Sequence, residues 1–194
     1  MMAIADIYAQ GVQGKFIIGI NAAQVDGDAM FGFNRIGPVV GGAANVKITQ
    51  KLSFQPELYY SMRGASSTIY QPFLSTILHY VDVPLIINYQ LKKRWALQAG
   101  LSGCYLVNAL IDPVGYGYID VTNRLNKYDI CFVVGAEFAI SEEWAVNIRY
   151  NYSAIPFGKQ SADNTALLNY SNWFNNYLNF TIRYLFIDRA KEKK

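Results

Sequence analysis

The stretch Leu52-Ser53-Phe54-Gln55-Pro56-Glu57-Leu58-Tyr59-Tyr60-Ser61-Met62-Arg63 decides the fold class. Successive side chains of a strand point to opposite faces. One face of this run is therefore Leu52, Phe54, Pro56, Leu58, Tyr60 and Met62, and the other is Ser53, Gln55, Glu57, Tyr59, Ser61 and Arg63. The run from Trp144 to Ser153 repeats the division, with Trp144, Val146, Ile148, Tyr150 and Tyr152 set against Ala145, Asn147, Arg149, Asn151 and Ser153. Strands of about ten residues with this pattern suit a barrel whose outside meets lipid and whose lumen is polar. A soluble barrel with an apolar inside has the same period. The second face separates the two readings. Gly100, Ser102, Cys104, Gly135, Ala139, Ala145 and Ser153 suit a narrow lumen, whereas a solvated outer wall carries Lys, Glu and Thr.

The rest of the chain agrees. Its 194 residues suit one domain. Charged residues make up 16%, well below the roughly 25% of soluble proteins, and a net charge of +3 marks no nucleic-acid partner. No apolar run approaches the roughly 18–20 residues of a membrane-spanning helix. A membrane protein without such helices must be a closed barrel, because lipid offers backbone groups no hydrogen-bond partner.

The alternation predicts strands at about 15–25, 35–48, 52–63, 78–90, 95–107, 128–140, 144–155 and 176–187. Short connections (49–51, 91–94, 141–143) alternate with long ones (26–34, 64–77, 108–127, 156–175). The expected fold is all-β: an eight-stranded antiparallel transmembrane β-barrel with short periplasmic turns and long extracellular loops, integral to the outer membrane. Lys47, Lys51, Lys92, Lys93 and Arg94 sit at or beside short turns, while Lys15 and Lys127 open strands. No lysine falls mid-stripe on the apolar face, where a charge costs roughly 2–4 kcal/mol. Trp95 and Trp144 predict one aromatic girdle, and Tyr60, Tyr105, Tyr128 and Tyr152 the opposite one. Pro38, Pro56 and Pro84 lie inside strands and predict a bulge or strand end near each. Residues 1–14 read as a leader or signal-peptide remnant, with Ile7-Tyr8-Ala9-Gln10 like a cleavage site after Ala9. Residues 15–187 form the barrel and 188–194 a charged periplasmic tail.

Several segments resemble the PorT-like family of small outer-membrane barrels from the Bacteroidetes. Residues 52–61 resemble its L-x-x-Q-P-E-L-x-Y-S strand, and Tyr80-Val81-Asp82-Val83-Pro84-Leu85 its aromatic-L-[ED]-I-P-L strand. Ala99-Gly100-Leu101-Ser102-Gly103 is similar to its A-G-x-x-x-G strand, and Ile148-Arg149-Tyr150-Asn151-Tyr152 to its R-Y-x-Y strand. The resemblance runs from about Gly14 to Phe186. It implies the fold and the location, and more weakly a part in protein secretion. Many outer-membrane barrels end on an aromatic residue read by the insertion machinery. Here Phe186 is followed by eight further residues, so a signal at Tyr184–Phe186 would be internal.

For chemistry, the polar faces place Glu57, Arg63, Asp82, Asp129, Glu137, Arg149 and Arg183 in the lumen. Opposite charges buried together pair, and an eight-stranded barrel is just wide enough for its side chains to fill. A paired plug is the expectation, with a proton or ion path as the competing reading. Glu57, Glu137, Arg149 and Arg183 are expected to meet at one depth. Pairing the fifth and sixth strands symmetrically about residues 108–127 sets Trp95 opposite Ile140 and Cys104 opposite Cys131, as two packed thiols rather than a disulfide. His79 with Ser75 suggests a lipid hydrolase only weakly, since no acid is placed to orient the histidine. No phosphate loop, metal cluster or cofactor motif is present, and Asp26-Gly27-Asp28 lacks the further ligands of a calcium loop. Tyr116, Tyr118, Tyr170, Trp173 and Phe174 lie in long loops. They are candidate contacts for a partner, or else pack over the barrel mouth. The expected partners are outer-membrane lipid and lipopolysaccharide, with other envelope or secretion proteins. The leading function is a non-enzymatic structural or interaction barrel. Secretion assistance and lipid modification are the alternatives.

Overall fold

The computed structural model describes residues 12–28, 32–67, 75–113, 115–158 and 173–186. Most of the expected leader, the tail at 188–194 and Tyr170 lie outside the described residues. The strands are β1 (Gln13–Asp26), β2 (Arg35–Lys47), β3 (Leu52–Ser66), β4 (Ser75–Lys92), β5 (Trp95–Asp112), β6 (Ile119–Asp120), β7 (Tyr128–Ala139), β8 (Trp144–Ser153) and β9 (Phe174–Leu185). They hydrogen-bond in the order β4-β3-β2-β1-β9-β8-β7-β5-β6, and β4 pairs with β5, so eight strands close into an antiparallel barrel. The two-residue β6 adds to the far end of β5. First strand meets last from Lys15 opposite Leu185 to Asp26 opposite Phe174.

The two faces divide as the alternation requires. Phe16, Ile18 and Ile20 on β1 point outward, as do Val81, Val83, Leu85 and Ile87 on β4 and Ile148, Phe180 and Ile182 on β8 and β9. Trp95 and Trp144 lie outside at the short-turn end, and Tyr60, Tyr105, Tyr128 and Tyr152 lie toward the long-loop end. Inside are Asn21, Gln55, Glu57, Arg63, Asp82, Gln98, Asn147 and Arg149. A barrel this narrow bends its strands sharply and brings backbones close. A Cβ on Gly100 would lie 2.1 Å from the Leu85 carbonyl oxygen, and one on Gly135 would lie 2.3 Å from that of Ile148. Glycine is the residue that leaves this room.

Three details differ from the sequence expectation. First, β5 and β7 pair two residues out of the symmetric register. Trp95 opposes Phe138, Ser102 opposes Cys131, and Cys104 opposes Asp129. This register packs aromatic against aromatic, the rings tilted, at both ends of the pairing, Trp95 with Phe138 at 4.8 Å and Tyr105 with Tyr128 at 5.4 Å between ring centroids. The symmetric one would have given each an isoleucine, and such aromatic pairs favour the observed alignment. Second, β5 does not end at residue 107. His79 pairs with Asn108 but Tyr80 with Leu106, so Val107 is a bulged extra residue. The bulge inverts the faces: Cys104 and Leu106 are buried before it, Ala109 and Ile111 after it.

Third, Pro56 and Pro84 cause no shift of register. The β2–β3 ladder skips Ala44 and Asn45, which face Pro56 and Gln55. The β3–β4 ladder skips Glu57 and Leu58, which face Pro84 and Val83. Pro38 lies just beyond the last β2–β3 pair, Val39 with Ser61. Each proline lacks an N–H, yet each keeps its place beside the other neighbouring strand, opposite Ile20, Leu85 and Ser102 respectively.

In the outer-membrane layout the short turns face the periplasm and the long loops the cell exterior. Chymotrypsin added to intact cells should therefore cut beside Tyr116, which is 94% exposed in the loop after β5. Cutting there only after the outer membrane has been opened would reverse the orientation.

Candidate functional site

The lumen holds two charged clusters at different depths on β3, Glu57 in one and Arg63 in the other. Six residues of strand place them roughly 20 Å apart along β3. At the periplasmic level Arg149 grips Glu57 with a two-pronged fork. Its Nη1 donates to Oε2 at 2.7 Å and its Nη2 to Oε1 at 2.8 Å, while Nε donates to Gln98 at 2.7 Å. This planar pairing is the strong form of the ion pair. Arg183 Nη1 donates at 3.1 Å to both Glu57 and Glu137, and its Nη2 at 3.1 Å to Asn147 Oδ1. Lys15 Nζ completes the set at 2.7 Å from Glu137. The β7–β8 register sets Glu137 opposite Asn147.

Nearer the exterior, Arg63 pairs with Asp82, both without solvent exposure. The Arg63 guanidinium lies between two rings, 4.3 Å from the centroid of Tyr80 and 4.2 Å from that of Tyr177. Stacking on ring faces offsets part of the cost of burying it. Asp129 is held by neutral donors, Ser153 Oγ at 2.5 Å and Asn175 Nδ2 at 3.0 Å. The seven charges expected in the lumen are thus divided between two levels. The polar-face assignment already placed Asn147 beside Glu137 and Arg183, but it left out Lys15, Gln98, Tyr80 and Tyr177. Parity was the available signal, since Lys15 shares a face with Asn21, and Tyr177 with Arg183. Together the two levels hold four cations (Lys15, Arg63, Arg149, Arg183) and four carboxylates (Glu57, Asp82, Asp129, Glu137). Their formal charges cancel, which is what burial in a narrow lumen demands.

Cys104 and Cys131 also meet here, but diagonally rather than opposite each other as expected. Their sulfurs lie 3.7 Å apart, and both are free thiols. A disulfide needs about 2.05 Å.

Above the clusters the lumen turns apolar. Leu78, Leu106, Ile111, Val121, Leu125, Phe157 and Trp173 form one buried cluster. Val121, Leu125 and Phe157 come from the extracellular connections, and Trp173 directly precedes β9. Backbone bonds tie them across the mouth, from Val121 N to Ala109 O at 2.9 Å, Asn126 N to Phe157 O at 2.7 Å and Phe157 N to Trp173 O at 2.9 Å. Of the two readings for the loop aromatics, Trp173 follows the second: it is 3% exposed at the barrel mouth and packs edge-on against Phe157. Phe174 is not in a loop either: it opens β9 and stacks on Tyr152. Tyr116 and Tyr118 do face solvent. Beside them, the Thr122 hydroxyl and N–H hold the exposed Asp120 carboxyl below the usual carboxylate range.

His79 and Ser75 have separate partners. The Tyr60 hydroxyl lies 2.6 Å from His79 Nδ1, and the Tyr118 hydroxyl 3.0 Å from Ser75 Oγ. Among the described residues no group of His, Cys, Asp and Glu is arranged to hold a metal ion.

Residues 8–157 match the family described as "Outer membrane protein beta-barrel domain". The chain belongs to this family. It is an integral outer-membrane barrel, and solved structures give the same fold. Ail, the attachment invasion locus protein of Yersinia pestis, superposes with a TM-score of 0.56 at 12% identity, over 90% of this chain and 99% of that one. Neisserial surface protein A superposes with a TM-score of 0.51 at 14% identity, over 90% and 96% of the two chains. At such identity the likeness is one of fold alone. No curated protein matches the chain.

Removing one partner of a buried ion pair leaves the other uncompensated, at about 3–5 kcal/mol. Glu57→Ala, which strands Arg149 and leaves Arg183 with Glu137 alone, is expected to lower unfolding stability in lipid vesicles by that amount. Glu142→Ala, in an exposed turn, should change it by less than about 0.5 kcal/mol. Urea titration followed by tryptophan fluorescence measures both.

Proposed function

We propose that this outer-membrane barrel is non-enzymatic and works through its surfaces, as a structural or interaction protein, rather than by passing solute through its lumen. The observation that carries this reading is the filling of the lumen. Paired charges occupy its periplasmic half, and an apolar cap from the loops covers its outer mouth. Outer-membrane lipid and lipopolysaccharide are its partners along the wall. Exposed Tyr116 and Tyr118 offer a contact for another envelope protein. Planar-bilayer recordings of the refolded protein should show little steady conductance. A large, persistent open channel would reject the reading.

The Q-P-E-L-x-Y-S run of β3 favours a narrower role, as a PorT-like component assisting protein secretion across the outer membrane. Stable translocon partners on co-purification from the native membrane would favour it, and purification alone would favour the structural role. A lipid-modifying activity has the least support. Tyr60 occupies one nitrogen of His79, and Ser75 bonds elsewhere.

A further inference from the structure

The periplasmic rim is electrically lopsided. The β2–β3 turn carries Lys47 and Lys51, and the β4–β5 turn carries Lys92, Lys93 and Arg94, with no carboxylate in either. The exposed acid Glu142 lies in the next turn, β7–β8, which adjoins the β4–β5 turn where the Ala139 N–H donates to the Arg94 carbonyl at 2.9 Å. All five cations are exposed, and the described residues give none of them an ion pair.

The two basic turns are also held together. Because β3 lies beside β4, the Gln90 N–H donates to the Lys51 carbonyl at 2.8 Å. Thr49 Oγ1 accepts from the N–H groups of Lys51 at 3.2 Å and Leu52 at 3.0 Å, which pins the first turn. The Gln90 side-chain amide donates to the Lys92 carbonyl at 2.7 Å and the Trp95 carbonyl at 3.3 Å, which pins the second. The cations therefore stand on a preformed frame.

Trp95 joins this patch to the hydrocarbon. It follows Arg94 directly and is 48% exposed on the lipid-facing wall. It also lines one side of an open trough of about 740 Å³, whose other walls include Ile18, Phe138, Val146, Phe180 and Ile182. Cations at the water boundary, an interfacial tryptophan and an apolar trough beside it match the parts of one lipid molecule, from headgroup to acyl chain.

We propose that the β2–β3 and β4–β5 turns form a binding site for an anionic phospholipid of the periplasmic leaflet. The phosphate sits among Lys51, Lys92, Lys93 and Arg94, and an acyl chain passes Trp95 into the trough. The site is on the short-turn end, away from the leaflet that carries lipopolysaccharide. It depends on the membrane orientation and not on the proposed interaction role, so the two fail separately.

Native mass spectrometry of the folded protein, offered phosphatidylglycerol and phosphatidylethanolamine at equal concentration, tests it. The native protein should retain phosphatidylglycerol at least about tenfold better, since each basic residue near an anionic headgroup contributes several-fold. K92Q/K93Q/R94Q should abolish most of that preference, whereas E142Q/E143Q should keep it. Equal retention of both lipids by the native protein would overturn the proposal. So would a preference that survives K92Q/K93Q/R94Q with K47Q/K51Q added, or displacement of phosphatidylglycerol by soluble muropeptides, which would assign the patch to the cell wall. A second measurement needs no variant. Brominated phosphatidylglycerol in phosphatidylcholine vesicles should quench tryptophan fluorescence more than brominated phosphatidylcholine at the same mole fraction, and equal quenching would overturn the site.

Discussion

Inside a bilayer every backbone N–H and C=O has to find its partner within the chain, and each one left over costs several kcal/mol. The β1–β9 and β4–β5 pairings allow this chain to meet that demand, because they remove both edges of the sheet. Other features follow from closure. The wall must be thin and continuous, so the strands alternate strictly. It must also curve tightly, so glycine stands where a neighbouring carbonyl comes within contact of a would-be Cβ, as at Gly100 and Gly135. Prolines survive in it because each has two neighbours and gives up pairing toward only one.

Closure with eight strands also decides what the lumen can hold. The interior is just wide enough for side chains, so a charge placed there meets other side chains rather than bulk water. Arg149, Arg183 and Lys15 are tolerable because Glu57 and Glu137 lie within 3.1 Å or less. Arg63 is tolerable because Asp82 and two tyrosine rings enclose it. Such networks are weak evidence of added stability, since well-packed apolar residues often do as well. What they achieve here is a lumen filled by charges already bound to one another. With the apolar cap above, that leaves little for a solute to replace.

Which residues face inward was legible from the sequence, because a period of two is a local property and needs no knowledge of partners. Strand existence and the short turns were legible for the same reason. Register was not. A two-residue slip of β5 against β7 keeps every side chain on its own face, so parity is blind to it. The choice fell to specific contacts, Trp95 with Phe138 and Tyr105 with Tyr128. The Val107 bulge was hidden in the same way: after it Ala109 and Ile111 turn inward, and a simple alternation reads that as the end of the strand. Trp173 shows the limit of composition. An aromatic among asparagines reads either as a partner contact or as part of a cap, and only the folding of the loops over the mouth makes it core.

A barrel whose inner charges are committed to one another leaves its surface charges as the free ones, and the two ends differ in this respect. At the outer end, loop residues such as Val121, Leu125 and Phe157 are spent on closing the mouth, so among the described loop residues the outward fringe that carries Tyr116 and Tyr118 remains available. At the periplasmic end the turns are too short to fold inward. Their side chains cannot reach the lumen carboxylates, which Lys15, Arg149 and Arg183 already neutralise. Lys47, Lys51, Lys92, Lys93 and Arg94 therefore keep their charge at the surface, beside an interfacial tryptophan. Turn length thus separates the cations paired inside the lumen from those left exposed at the periplasmic rim.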